Sequence, residues 1–285
     1  MPDFILRYAP HMGYISPHPL FASTLGTSDC REHARFAAEQ GFGGLFHPFI
    51  VSAPTDEVRR FKAALTEFGL EAGTISSLPV TEVLKPLWVS AASQDRLDLL
   101  NHVQATSRLA RDLGCRVLAV LVPESSADQR TADLANVREN LKMAADLAAR
   151  NDTVLGIEPI IALPNMLFQS AYDAADIIRQ VNHPSVRLIF DTGHITQMDG
   201  SVIQALEDFE DIACVYQLAD MPNRVEPGRG SLDFPVILSH LIKSGYSGLV
   251  ELEHGWSEEG AATEAKGIAL LARIEADAAK LAASL

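Results

Sequence analysis

Four oxygen-bearing side chains close four successive apolar runs in the second half of this sequence. They are Glu158 in VLGIEPI, Asp191 in VRLIFDTGH, Gln217 in IACVYQLAD and Glu253 in GLVELEHGW. Each lies about one strand-plus-helix unit from the next. On parallel strands, all four side chains would emerge at the same end of one sheet. Hard oxygen donors converging on one point form a site for one divalent ion of the magnesium or manganese type, with cobalt or zinc as alternatives. A single acid at a strand end is usually a helix cap, a turn residue or a solvated charge. Three carboxylates buried together without a cation would cost several kcal/mol in repulsion and desolvation, most of which a divalent ion removes. Glu251 precedes Glu253 by two residues, faces the same side and lies one layer deeper, as a partner of the ligands would.

The elements that must position these residues alternate regularly. Strands are predicted at Phe4–Tyr8, Gly43–Phe46, Glu71–Ile75, Arg116–Leu121, Val154–Glu158, Arg187–Asp191, Ile212–Leu218 and Gly248–Glu253. Helical patterns follow at Cys30–Gln40, Asp56–Phe68, Arg96–Leu113, Asp133–Arg150, Ala171–Val181, Ser201–Phe209, Phe234–Ser244 and Ala261–Ala283. The fourth of these places Leu134, Val137, Leu141, Ala144, Ala145 and Ala148 on one face. Gly41, Gly69, Gly114 and Gly245 mark helix ends. Eight βα repeats without a composition break predict an α/β fold, a (β/α)8 TIM barrel spanning residues 1–285 as a single domain. A doubly wound open sheet is the competing architecture. No GxGxxG or GxxxxGK after the first strand supports it.

Bulk properties exclude several classes. The formal net charge of −14 argues against nucleic acid as the main partner, since phosphate binding needs a basic face. Cys30, Cys115 and Cys214 are odd in number and widely spaced, which fits free thiols in a reducing cytoplasm. The N-terminus shows no signal-peptide pattern, and the longest apolar run, Val117 to Val122, cannot span a bilayer. A small-molecule substrate fits these limits, and a homo-oligomer is left open.

Other polar residues fall on the expected catalytic rim. His11, His18 and His47 follow the first two strands and are read as candidates for substrate binding, metal binding or proton shuttling. His254 should point away from Glu253 and serve structure. Arg224 and Arg229 lie on a Pro- and Gly-rich loop, and a planar guanidinium suits a carboxylate or vicinal oxygens. Lys85 and Trp88 fall in a long segment, 76–95, that reads as a lid. Met166 and Phe168 could wall the pocket or pack within their loop.

The stretch Val154 to Trp256 resembles the xylose-isomerase-like barrel superfamily of sugar isomerases and epimerases, and within it the hydroxypyruvate isomerase-like group. The matching pieces are IEP at Ile157–Pro159, DxxH at Asp191–His194, QLADMPNRVEPGRGSLDFP at Gln217–Pro235 and GYSGLVELE at Gly245–Glu253. The resemblance implies that Glu158, Asp191, Gln217 and Glu253 ligate the metal, and that Glu158 and Glu253 move the proton. It implies that His194 and Arg224 contact substrate oxygens. Gln217 stands where ketose 3-epimerases usually have His, which favours the hydroxypyruvate isomerase-like branch. The N-terminal half departs from that branch, with His11 and His47 where the family often has Asn and a glutamate-containing strand. The expected chemistry is metal-assisted proton transfer through an enediolate of a small α-hydroxycarbonyl compound or sugar acid. A ketose 3-epimerase and a dehydratase or lyase are alternatives on the same scaffold. A non-catalytic metabolite-binding protein is least supported, since both glutamates are present.

Overall fold

The structure, a computed structural model, describes residues 2–14 and 18–284. Its strands are β1 (Arg7–Pro10), β2 (Gly44–Leu45), β3 (Glu71–Ala72), β4 (Ile75–Ser76), β5 (Val117–Val120), β6 (Val154–Ile157), β7 (Val186–Asp191), β8 (Ala213–Leu218) and β9 (Leu249–Leu252). All pair in parallel, in the order β1-β9-β8-β7-β6-β5-β4, with β2 and β3 forming a second short ladder. The second ladder closes the ring. The Phe46 amide donates to the Pro10 carbonyl, and the Gly73 amide to the Leu45 carbonyl. The pieces β3 and β4 share the third barrel position, so the expected (β/α)8 barrel is what the chain forms.

The helices are α1 (Ala22–Leu25), α2 (Cys30–Glu39), α3 (Thr55–Phe68), α4 (Ser93–Leu113), α5 (Arg130–Ala149), α6 (Ala171–Val181), α7 (Thr192–Asp199), α8 (Val202–Phe209), α9 (Phe234–Lys243) and α10 (Ala261–Ser284). Helix α5 buries Val137, Leu141, Ala144, Ala145 and Ala148 against the sheet, the face that its spacing predicts, with Leu134 half-buried beside them. Gly69 and Gly114 end α3 and α4 in the left-handed conformation that only glycine adopts without strain.

Four departures from the sequence reading have physical causes. The first strand starts at Arg7 rather than Phe4, because the Glu275 carboxylate of α10 takes the amides of Ile5 and Leu6. The third strand is split at Gly73 and Thr74, where the Thr74 amide donates to Glu251 Oε1 (2.5 Å). A Cβ on Gly73 would sit 2.8 Å from that same oxygen, so only glycine fits there. Helix α7 was not predicted; it begins directly after the strand, with Asp191 as its cap, and is too short to show a helical period. The segment 76–95 is no lid. Trp88 is fully buried, and Asn140 of α5 donates to the carbonyls of Trp88 and Ser90.

Candidate active site

The parallel register brings the four oxygen-bearing residues together. Asp191 ends β7 and pairs directly with Gln217 of β8, which in turn pairs with Glu251 of β9. Glu158 and Glu253 are the first residues beyond β6 and β9. Their amides still donate to Val120 and Leu218 of the neighbouring strands, which fixes their height on the rim. All four are buried. Glu158, Gln217 and Glu253, with His194 and Arg224, line a cavity of about 410 Å³. Asp191 lies behind Arg224.

The Gln217 amide is oriented by Glu251, as the two-residue spacing predicts. Gln217 Nε2 donates to Glu251 Oε2 (3.0 Å), leaving Gln217 Oε1 buried without a hydrogen-bond partner. An orphaned buried acceptor is costly, and a cation is one group that would satisfy it. Glu158, Asp191 and His194 each offer a donor atom, and the three atoms lie within 4.8 Å of one another. This buried triad could hold a metal ion. Glu253 is not in that group, and His194, read from sequence as a substrate contact, is. His194 Nε2 lies 3.9 Å from Glu158 Oε1.

Arg224 supplies the positive charge among these acids. Its Nη1 and Nη2 bond Asp191 Oδ1 (3.1 Å) and Oδ2 (3.0 Å), and Nη2 also reaches Glu253 Oε1 (3.3 Å). Burial pushes Glu158 up to about 8, with the Asp191 charge adding to the rise and Arg224 opposing it. Glu253 is raised well above the ordinary carboxylate range by burial and by Glu158 and Asp191. Burial acts the same way on Asp191, but Arg224 and the His194 amide outweigh it and hold that carboxyl below its usual value. Glu251, buried beneath Gln217, is raised to about 7, against the hydrogen bonds from Thr74 and Gln217. His194 is lowered by burial, against the pull of Asp191.

The loop that carries Arg224 is organised by Asp220. Its carboxylate accepts from the amides of Met221 and Leu232 through Oδ1, and of Gly228 and Gly230 through Oδ2. Asp220 and Val225 also exchange backbone bonds, and the Arg224 carbonyl accepts from Gly255. Arg224 itself has φ of +50°, a left-handed conformation that a non-glycine residue holds only when its surroundings fix it. The Asp220 role was missed, although the aspartate stands within the QLADMPNRVEPG run that sequence singles out.

Other expected rim residues fall elsewhere. His11 is buried with both ring nitrogens spent on backbone: Nδ1 accepts from the Gly13 amide, and Nε2 bonds the His254 carbonyl. It fastens the first loop to the last strand end, and a substrate contact there would need one of these bonds to break. His47 lies outside the carboxylate cavity, in a neighbouring one, 3.6 Å from Glu57. His18 lines a third cavity with Trp256 and Gln197. His254 faces away from the carboxylates and bonds the Gly255 carbonyl, the structural role expected of it. Arg229 is exposed beside Glu226. Met166 and Phe168 pack inside the protein. The cavity wall is built instead by Tyr14, Phe46, Phe49, Ile160 and Leu163. Tyr14, unmarked in the sequence reading, lies against Arg224.

Comparison with known proteins agrees with this fold. Residues 34–274 match the family described as xylose isomerase-like TIM barrel. The 2-oxo-tetronate isomerase of Pectobacterium atrosepticum is 28% identical over 233 residues, covering 79% of this chain and 87% of that protein. The hydroxypyruvate isomerase of Escherichia coli is 28% identical over 228 residues, covering 78% and 86%. A solved structure, the family 2 AP endonuclease of Brucella melitensis, superposes with a TM-score of 0.77 at 24% identity, covering 93% of this chain and 98% of that one. At that identity the likeness shows the fold alone. Isomerases and epimerases of keto acids and keto sugars thus recur among the relatives. With the barrel closed and the family match running through nearly all of it, the chain belongs to the xylose isomerase-like TIM barrel family.

Proposed function

We propose that this protein is a metal-dependent isomerase of a small α-hydroxycarbonyl compound or sugar acid, of the hydroxypyruvate isomerase kind. The observation that carries the reading is the pair of buried glutamates, Glu158 and Glu253, on one cavity and both with raised proton affinity. The two isomerase relatives support it. The residues 1–285 are read as one catalytic barrel.

Glu158, Asp191, Gln217 and Glu253 would hold the ion, with His194 as a further donor. The oxygen-rich set favours magnesium or manganese. Among the described residues, Asp191 Oδ2 accepts a single hydrogen bond, from Arg224, and so keeps a lone pair for the ion. A divalent ion, when bound, supplies positive charge that polarises the carbonyl and lowers the proton affinity of both glutamates.

The chain's own residues do the rest. One glutamate, once ionised, takes the proton alpha to the carbonyl. The proton's return to the neighbouring carbon by the same glutamate, with the hydroxyl proton passing to the former carbonyl oxygen, isomerises the substrate, and a proton delivered by the other glutamate to the original carbon from the opposite face epimerises it. Arg224, whose Nε is buried without a hydrogen-bond partner among the described residues, would meet a substrate carboxylate or hydroxyl, and the apolar walls exclude water from the enediolate. A ketose 3-epimerase and a lyase use the same first step, so product analysis by NMR separates the three.

The test is solvent-deuterium exchange at the substrate's alpha carbon. With the manganese-loaded protein and hydroxypyruvate, 2-oxo-tetronate or a ketohexose, Glu158→Gln and Glu253→Gln should each lose about 10²–10⁴-fold in exchange rate. Metal content is measured in parallel, so that loss of ion and loss of base are distinguished. Full exchange in both variants would sink the two-glutamate reading.

A further inference from the structure

The carboxylate cavity is divided by chemistry. Its charged and amide groups, Glu158, His194, Gln217, Arg224 and Glu253, come from the rim of β6 to β9. Most of the remaining wall comes from the loops after β2, β5 and β6 and presents Phe46, Phe49, Leu121, Ile160 and Leu163. Three hydroxyl residues also line the cavity, two of them at its charged end. Tyr14 lies against Arg224 and Thr74 against Glu251, while Ser76 Oγ donates to the Leu78 carbonyl (2.7 Å). At about 410 Å³ the cavity is several times larger than a three-carbon acid needs. Once the reacting unit sits at the carboxylates, the space left over faces apolar side chains.

A sugar tail placed there would bury hydroxyls without partners, which disfavours it. An alkyl tail would remove apolar surface from water on both sides of the contact.

We propose that the substrate is an α-hydroxycarbonyl acid with an apolar tail of several carbons, seated against Phe46, Phe49, Leu121, Ile160 and Leu163, rather than a polyhydroxylated sugar. The proposal rests on the proton-transfer reading of the carboxylate end. The tail contact itself is a binding property and is measured without turnover.

The experiment titrates manganese-loaded protein by calorimetry with 3-hydroxy-2-oxo acids. The series runs from hydroxypyruvate, with no tail, through the methyl and ethyl homologues to the propyl one. The 3,4-dihydroxy-2-oxobutanoate isostere of the ethyl member completes the set. Affinity should rise about fourfold per added methylene. The ethyl acid should bind about 10–100-fold more tightly than its hydroxylated isostere. Leu163→Ser and Phe49→Ser should each shrink that ratio. Equal or tighter binding of the hydroxylated acid overturns the proposal, as does no binding of any tailed acid. Deuterium exchange on the same compounds tests the reaction separately. Tail preference without exchange leaves the tail contact standing and removes the isomerase. Exchange without tail preference does the reverse.

Discussion

At the scale of single residues, the site is governed by how buried acids share one arginine. Asp191 takes both guanidinium branches and stays ionised, while Glu158 and Glu253 are left with raised proton affinity. Glu158, at about 8, is protonated in the ion-free protein at neutral pH. Manganese binding at pH 7 should therefore release protons, and affinity should rise with pH up to about 8, roughly tenfold per unit for each proton displaced. Calorimetry in buffers of different ionisation enthalpy reads the proton count directly, and a count of zero would contradict this assignment. His11 gives a second prediction. Burial lowers it to about 3, helped by His254. Its neutral form is favoured by folding, so its contribution is fully present above pH 6.5 and is lost as pH falls toward 3. Glu158 and Glu251 titrate with the opposite sign, so the histidine is isolated by difference. The stability gap between the wild type and His11→Gln should be widest above pH 6.5. It should narrow by about 1.4 kcal/mol per pH unit below that. Urea unfolding across pH measures it, and a constant gap would refute it. The oxygen donors were legible in the sequence because each ends an apolar run. The arginine's hold on Asp191 was not, since nothing in a loop sequence gives the direction of its side chain.

At the scale of elements, strand ends give position and loops give orientation. The amides of Glu158 and Glu253 remain in the ladder, so these carboxylates inherit the rigidity of the sheet. Arg224 has no such support and depends on Asp220. Asp220→Ala would strand four amides, those of Met221, Gly228, Gly230 and Leu232. The variant should lose about 2–4 kcal/mol of stability, and substrate affinity should weaken as Arg224 loses its fixed geometry. Thermal unfolding together with a KM measurement checks both. An unchanged KM would separate Asp220 from the site. Helices α3, α4, α6, α9 and α10 were predicted to within a few residues because their apolar spacing extends over two or more turns. Helix α7 and the split third strand escaped because their causes are tertiary: the Asp191 cap and the Glu251 carboxylate.

At the scale of the molecule, the two ends of the chain are joined by buried acids of the last helix. Glu275 accepts the amides of Ile5 and Leu6, and Glu264 those of Ser23 and Thr24. These bonds hold the first strand segment and the first loop, which carries Tyr14 to the cavity. Glu264→Ala should lower stability by about 1–3 kcal/mol and loosen that loop. Hydrogen exchange at Ser23 and Thr24 reports the effect, and unchanged protection there would refute it. Among the described residues, no helix is long and apolar enough to cross a membrane.

The sequence by itself determined the barrel, the strand-end positions of Glu158, Asp191, Gln217 and Glu253, and the family resemblance of the second half. Each of these follows from local period and spacing, which a linear string preserves. The tertiary structure alone decided that His194 joins the acids, that Arg224 grips Asp191, and that His11 is spent on backbone and His47 lies in a neighbouring cavity. It also built the apolar wall from residues of three separate loops. Those outcomes depend on which side chains meet across the ring of strands, where residues far apart in sequence share one buried volume.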